Sequence, residues 1–146
     1  MITEIRKRKN GQIALPFVLL IGGIIIEIVI AGSFISFFVS AVSLGEQLSV
    51  RALSAANTGI YDATMKISSN KEFGAGVEGI SYNIEVGNDT AVVEVSRSVD
   101  PKNFYLYTIE STATSRSRER KIVAELVVDQ TTGQLNLKSI EEKAIQ

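Results

Sequence analysis

The chain has 146 residues, a net charge of −1, and neither histidine nor cysteine. A chain of this length holds about one domain plus an anchor, at roughly 100–200 residues per domain. The missing cysteine and histidine exclude disulfide staples, thiol nucleophiles and the Cys/His ligand sets of zinc sites, and they remove the commonest general base. We therefore expect a non-enzymatic protein that holds no cofactor and no metal.

The first eleven residues form a basic leader. Four basic side chains stand there against one acidic one, a net charge of +3, at Arg6, Lys7, Arg8 and Lys9 against Glu4. A basic cluster directly before an apolar helix places that end of a protein in the cytoplasm. We expect the C-terminal part of the chain on the far side of the membrane.

Residues 12–70 predict one very long helix with two different halves. Residues 12–45 form an apolar half with a single charged residue, Glu27. Residues 46–70 form an amphipathic half, because small or apolar residues recur at the spacing of one helix face. That predicted face contains Leu44, Leu48, Ala52, Ala55, Ala56, Gly59, Ile60, Ala63 and Ile67. The cluster Ser68-Ser69-Asn70 is expected to end the helix.

The apolar half is longer than a bilayer needs. As a helix, residues 13–45 would measure about 50 Å, at about 1.5 Å per residue, against a hydrocarbon core of roughly 30 Å. Tilt absorbs only part of this mismatch. We therefore expect the segment to be buried in lipid and later against other helices. Gly32, Ser36 and Ser40, four residues apart, form a small-residue face on which helices can approach closely.

Three interpretations of the N-terminus are compared. A cleaved secretory signal is disfavoured, because the apolar run is about twice the usual roughly 7–15 residues and no Ala-x-Ala-like site closes it. A permanent signal anchor is the simple alternative. The third interpretation is cleavage between Gly11 and Gln12, with the apolar segment retained.

A basic leader ending in Gly11, an apolar segment starting at Gln12 and a long helix that turns amphipathic resemble type IV pilins and pseudopilins with their class III signal peptides. The resemblance implies that a prepilin peptidase cuts after Gly11 on the cytoplasmic face and methylates the new N-terminus. It implies that the apolar half anchors the subunit in the membrane and then packs with other pilin subunits through an assembly platform. It also implies that the amphipathic half packs on a small antiparallel sheet.

One position departs from the pattern of the resembled family. Its members usually carry Glu at the fifth position after the cut, and this chain has Pro16 there. Some minor members lack that Glu, so the departure favours a minor subunit. Pro16 would lie in the first turns of the processed helix, where its missing donor has little cost.

Glu27 is the only acidic residue inside the apolar half. A charged carboxylate at the bilayer centre costs roughly 2.5 kcal/mol or more, so we expect Glu27 to face protein or to be protonated. It either contacts a neighbouring subunit or is a neutral, hydrogen-bonded group with only a packing role.

The remainder predicts four or five antiparallel strands. Ile80–Val86 alternates cleanly, and Gly87-Asn88-Asp89 is a typical turn before a returning strand. Further strands are predicted at 90–96, 104–114, 119–128 and 134–138, with loops at 71–79 and 98–103 and a frayed tail at 139–146. An antiparallel sheet with one apolar face needs a cover, and the amphipathic helix half is the available one. The predicted fold is α+β and pilin-like.

Two surface features could carry chemistry. Asn88-Asp89-Thr90 matches a glycosylation acceptor, but a hairpin turn explains it fully. A basic cluster at the predicted tip 115–118 is either simply solvated or makes a weak electrostatic contact with DNA or another polyanionic surface. That cluster contains Arg116, Arg118, Arg120 and Lys121.

The sequence predicts a minor structural subunit of a type IV pilus or a type II secretion-like pseudopilus. It would span the inner membrane once and then enter an extracellular filament. The first alternative is a permanently anchored single-span protein with a small binding domain. The second is a membrane-tethered hydrolase, which no residue spacing supports.

Overall fold

The computed structural model describes residues 10–76, 78–101 and 103–145, with side chains from Ala14 onward. Residues 1–9 of the basic leader lie outside this description. The elements follow in the order α1 (Asn10–Ser69), β1 (Ile80–Val86), β2 (Asp89–Asp100), β3 (Phe104–Ser115), β4 (Arg118–Asp129) and β5 (Leu135–Lys143). The five strands form one antiparallel sheet in sequential order. The predicted α+β architecture is confirmed.

The chain divides between Ser43 and Leu44 into two compact units. The first unit is the apolar part of α1. The second contains the rest of α1 and the whole sheet, and its core lies between them.

The predicted amphipathic face of α1 is buried against the sheet. From Leu48 to Ile67, every residue of that predicted face is less than a tenth exposed. Leu44, by contrast, is 51% exposed, and its placement on the buried face is wrong. The sheet ends at this level of the helix, since the side chain beside Gly45 belongs to Arg118, the first residue of β4. Leu44 therefore has no strand beneath it.

Small side chains bring the helix close to the sheet. Four alanines and Gly59 occupy the buried face of α1. At Gly59 a Cβ atom would collide with Ser111 Oγ and would lie 2.8 Å from Val93 Cγ2. Most of the larger side chains of the core come from the strands, among them Tyr107 and Leu126, while α1 adds Ile60 and Ile67. The sheet thus supplies most of the bulk of the core, and the small residues of the helix allow the close approach.

Two hairpins have two-residue loops of the same kind. Val86 pairs with Asp89 around Gly87-Asn88, and Ser115 pairs with Arg118 around residues 116–117. In both loops the first central residue has positive φ, 65° at Gly87 and 52° at Arg116. Type II′ hairpins place glycine at this position because side chains rarely adopt it. Arg116 therefore holds the backbone conformation that Gly87 adopts freely.

Arg116→Gly is expected to stabilise the sheet unit by about 1 kcal/mol, since it removes the penalty of a side chain at positive φ. The measurement is urea unfolding of the full chain in detergent, followed by circular dichroism of the sheet. Ser117→Gly is the matched control, because Ser117 has no positive φ; it should be neutral or slightly destabilising. An equal increase in the free energy of unfolding in both variants would contradict this explanation.

Two predicted boundaries are wrong. Residues 98–100 were expected in a loop but continue β2, whose Asp100 pairs with Phe104. Residues 139–143 were expected to fray but continue β5, with Ile140 opposite Ala124. The pairing of this longer edge strand with β4 has a register irregularity between Glu125 and Leu126. The charged side chains of residues 139–143 are typical of a solvated tail. The segment is nevertheless a strand, because its backbone groups pair with those of β4.

Candidate membrane and assembly surface

The side chains of unit 1 from Ala14 to Ser43 are almost all exposed within the single chain. They include long runs of Leu, Ile, Val and Phe that are half to two-thirds accessible. By length and composition this helix could cross a membrane, and no side chain of its apolar window is buried. The chain is compatible with a single-pass membrane protein. Apolar surface on this scale is not stable in water and must be covered by lipid or by other helices.

The small-residue face predicted in this helix is open. No atom lies within 4 Å of the Cβ position of Gly32 apart from the helix itself. Ser36 and Ser40 are exposed as well. Ser33, next to this face, already donates to the Val29 carbonyl at 2.9 Å. Neither Ser36 nor Ser40 makes a side-chain hydrogen bond within the described chain, so both hydroxyls are available to a neighbouring helix.

Glu27 and Pro16 also lie on this helix. The Glu27 side chain is exposed between Ile26 and Ile28, and it has no ion-pair partner among the described residues. Pro16 lies inside α1 rather than at its first turn, because the helix begins at Asn10. A proline cannot donate to the carbonyl four residues earlier, which here belongs to Gln12. The helix is therefore weakened next to the predicted processing site.

The predicted processing site lies in the first turn of α1. Gly11 and Gln12 have helical backbone, and their side chains are outside the description. Cleavage and methylation at this bond remain predictions.

In unit 2, polar side chains join the sheet to the helix and to the loop that follows it. Arg97 Nη1 lies 3.0 Å from both the Lys71 carbonyl and Glu72 Oε2. Its guanidinium lies 4.2 Å from the centre of the Tyr105 ring. The Tyr107 hydroxyl donates to the same Lys71 carbonyl. These contacts hold residues 71–72 on the end of β2 and β3.

A second cluster joins β1 to the helix. Tyr82 donates to Asp62 Oδ2 at 2.8 Å, and Lys66 Nζ lies 2.8 Å from that oxygen and 3.6 Å from the Tyr82 ring centre. Burial and the hydrogen bond to Asp62 raise the pKa of Tyr82 far above its usual value. Burial raises the pKa of Asp62, but the bonds from Lys66 and Tyr82 outweigh it and lower that pKa overall. The phenol thus stays a donor, which suits a structural contact better than proton transfer.

The basic cluster predicted at the β3–β4 tip is not a single patch. Arg120 Nε donates to Ser49 Oγ of the helix at 2.9 Å, and Arg120 also pairs with Glu142 at 2.7 Å. Lys121 lies on the opposite face of the sheet, where it pairs with Glu110. Within the described residues, Arg116 and Arg118 make no ion pair and are exposed. The alternation of side chains along a strand could have predicted this separation.

The ion pair between Asp89 and Arg51 has no signal in the sequence. Asp89, expected only as a turn residue, is 7% exposed and lies 3.0 Å from Arg51 Nη2. It joins the β1–β2 turn to the first turns of the helix in unit 2. Sequence spacing gives no signal for it, because the partners are 38 positions apart.

Comparison with family models, with curated proteins and with solved structures gives no match for this chain. Over the described residues, no group of three or more acidic side chains is arranged to hold a metal ion. The functional argument therefore depends on the helix surface and on the sheet.

Proposed function

We propose that this protein is a minor structural subunit of a type IV pilus or pseudopilus-like filament, anchored in the inner membrane through its apolar helix. The observation that supports it best is the continuity of α1, a 60-residue helix whose apolar part is bare and whose last turns are packed on a five-stranded antiparallel sheet. A plain membrane anchor needs only about 20 apolar residues.

The length of the exposed apolar surface supports burial of this helix first in lipid and then among the helices of neighbouring subunits. A span needs about 20 residues, whereas side chains are exposed and mostly apolar from Ala14 to Leu44. In lipid, part of this surface would project beyond the hydrocarbon. In a helical bundle of neighbouring subunits, all of it could be covered. The open face of Gly32, Ser36 and Ser40 suits close helix contacts in such a bundle.

Glu27 supports contacts between subunits, because its own chain offers the exposed carboxylate no partner among the described residues. Glu27→Leu is expected to leave membrane insertion intact, or to favour it, while filament incorporation falls at least tenfold. Membrane flotation measures the first effect, and immunodetection in sheared filaments measures the second. Glu27→Gln is the matched control, since it keeps the shape and hydrogen-bonding capacity, and we expect an intermediate defect. Unchanged incorporation of Glu27→Leu would refute an intersubunit role for this carboxylate.

The processing step tests the proposal most directly. The intact mass of the membrane-extracted protein is measured after expression with and without a prepilin peptidase. We expect loss of residues 1–11 only with the peptidase, with or without one added methyl group on Gln12. An unchanged N-terminus in the presence of an active peptidase, verified on a known substrate, would contradict the proposal.

A permanently anchored binding protein is the second candidate. The observation that favours this candidate is that the helix covers one face of the sheet, which leaves the other face open for binding. The other face has a shallow cavity of about 320 Å³ between β1, β2 and β3, lined by Ser81, Glu94, Thr108 and Glu110 among others. This candidate predicts no cleavage and no dependence on assembly machinery, so the same mass measurement separates the two.

A further inference from the structure

The β3–β4 tip lies against the first turn of the helix in unit 2. A Cβ atom on Gly45 would lie 3.2 Å from Arg118 Nη2. One turn further along the helix, Ser49 accepts a hydrogen bond from Arg120 at 2.9 Å. The tip is thus tied to the part of unit 2 that directly continues the apolar segment.

The length of the apolar segment places this part of the chain near a bilayer surface. From residue 13 to Gly45 the helix measures about 50 Å at about 1.5 Å per residue. A bilayer with its headgroup layers is about 40–45 Å thick. A chain that crosses the membrane with its basic leader in the cytoplasm therefore emerges from the opposite headgroup layer close to Gly45.

The arginines at this end of the sheet unit differ in whether they have an ion-pair partner. Arg51 and Arg120 at this end are already paired, with Asp89 and Glu142 respectively. Arg116 and Arg118 are exposed, and no carboxylate pairs with them in the described residues. Two acidic residues adjoin this region, one on the tip and one on the helix, and neither forms an ion pair with these arginines in the described residues.

These two residues are Glu119, next to Arg118 in sequence, and Glu46, next to Gly45 on the helix. Glu46 is exposed on the helix, where it has no ion pair with a described residue. Glu119 pairs in register with Thr114, on the sheet face opposite to the one that carries Arg118 and Arg120. Among the described residues, the guanidinium groups of Arg116 and Arg118 therefore have no ion-pair partner at the end of the hairpin.

We propose that Arg116 and Arg118 bind the phosphates of anionic lipid headgroups on the membrane surface next to the sheet unit, and so hold that unit on the bilayer. The inference rests on the membrane-anchoring part of the proposed function and not on cleavage or filament assembly. Guanidinium groups bind phosphate oxygens in a bidentate manner, and each basic side chain near an anionic bilayer shifts binding about fivefold.

Lipid fits this tip better than nucleic acid. Residues 1–11 carry +3 of the total charge of −1, so residues 12–146 carry −1 − 3 = −4, and a long polyanion that extended beyond the tip would meet a net negative charge. A headgroup layer would meet the tip alone. No aromatic side chain stands between residues 115 and 121 to stack on nucleic-acid bases.

The test uses the absence of cysteine from the chain. Ser117→Cys gives a single attachment site for a fluorophore at the tip, and Thr132→Cys gives one in the β4–β5 turn as the matched position. The full chain is reconstituted into bilayers of phosphatidylcholine with and without phosphatidylglycerol. Quenching by a lipid that carries a nitroxide on its headgroup then reports contact with the membrane surface.

We expect quenching at Ser117→Cys that requires phosphatidylglycerol and weakens with added salt, and little quenching at Thr132→Cys. Arg116→Gln combined with Arg118→Gln should reduce the tip-bound to tip-free ratio about 25-fold, at about fivefold per arginine. Lys71→Gln combined with Lys138→Gln removes the same charge elsewhere on the sheet unit and should have no effect.

Three results would overturn the proposal. The first is quenching at the tip that is independent of phosphatidylglycerol and of the two arginines. The second is duplex DNA binding that the arginine variants abolish while lipid contact at the tip is unchanged. The third is a chain that does not float with the vesicles, which would refute the membrane anchor and the proposed function as well. Failure of cleavage after Gly11 would refute the proposed function alone, because the tip contact requires only the span.

Discussion

Gly11→Val is expected to leave residues 1–11 attached to essentially all of the protein, even with an active prepilin peptidase present. Two physical effects act together. A peptidase must bring the backbone close to its catalytic groups, and glycine allows that approach because it has no Cβ atom. The Gly11–Gln12 bond also lies in the first turn of α1 and must unwind to be cut.

Asn10 and Gly11 are poor helix formers, and Pro16 withholds a hydrogen bond from the Gln12 carbonyl. The wild-type turn is therefore easily opened. Intact mass after coexpression measures the outcome. Gly23→Val is the control, since nothing lies within 4 Å of a Cβ at Gly23 and the site is remote from the bond; it should be processed normally. Efficient cleavage of Gly11→Val would exclude a glycine-dependent peptidase.

The second large effect is expected at Gly59. Gly59→Val should destabilise the sheet unit by about 3 kcal/mol, because added carbons in a close-packed core cost about 1–3 kcal/mol and sometimes more. The first added atom already collides with Ser111 Oγ and approaches Val93 Cγ2 to 2.8 Å. Both neighbours are fully buried, so neither can move aside into solvent. Urea unfolding of the full chain in detergent measures the free energy of unfolding.

Gly45→Val provides the matched control in the same helix. A Cβ at Gly45 meets only the Arg118 guanidinium, the far end of a flexible side chain. Valine also forms helix slightly better than glycine. We therefore expect Gly45→Val to be neutral or mildly stabilising. A similar loss in both variants would indicate that valine itself, rather than the close helix–sheet approach, causes the destabilisation.

The helix and most of the sheet could be predicted because their side chains repeat with the period of the element. The 3.6-residue repeat from Leu48 to Ile67 and the alternation in Ile80–Val86 are local signals of which face is buried. The turn at Gly87-Asn88 follows from local chemistry as well. These features need no knowledge of the partner surface.

Other features depend on contacts between distant residues. β5 reaches Lys143 because β4 offers a pairing edge, although the residues themselves are typical of a frayed tail. Leu44 continues the helical repeat but is exposed because no strand lies beneath it. The four basic tip residues lie within six positions of the sequence, yet pairing with Glu142 and Glu110 leaves only Arg116 and Arg118 of them without an ion pair among the described residues.

The sequence alone determined the class of fold and the apolar helix, because hydrophobic period and turn residues are properties of short segments; the processing site at Gly11 stays a prediction. Only the tertiary structure decided where the sheet ends on the helix, which basic side chains form ion pairs and why Gly59 must lack a side chain. Those answers depend on which surfaces meet. A one-dimensional pattern shows that a face must be covered, and the folded chain shows which atoms cover it.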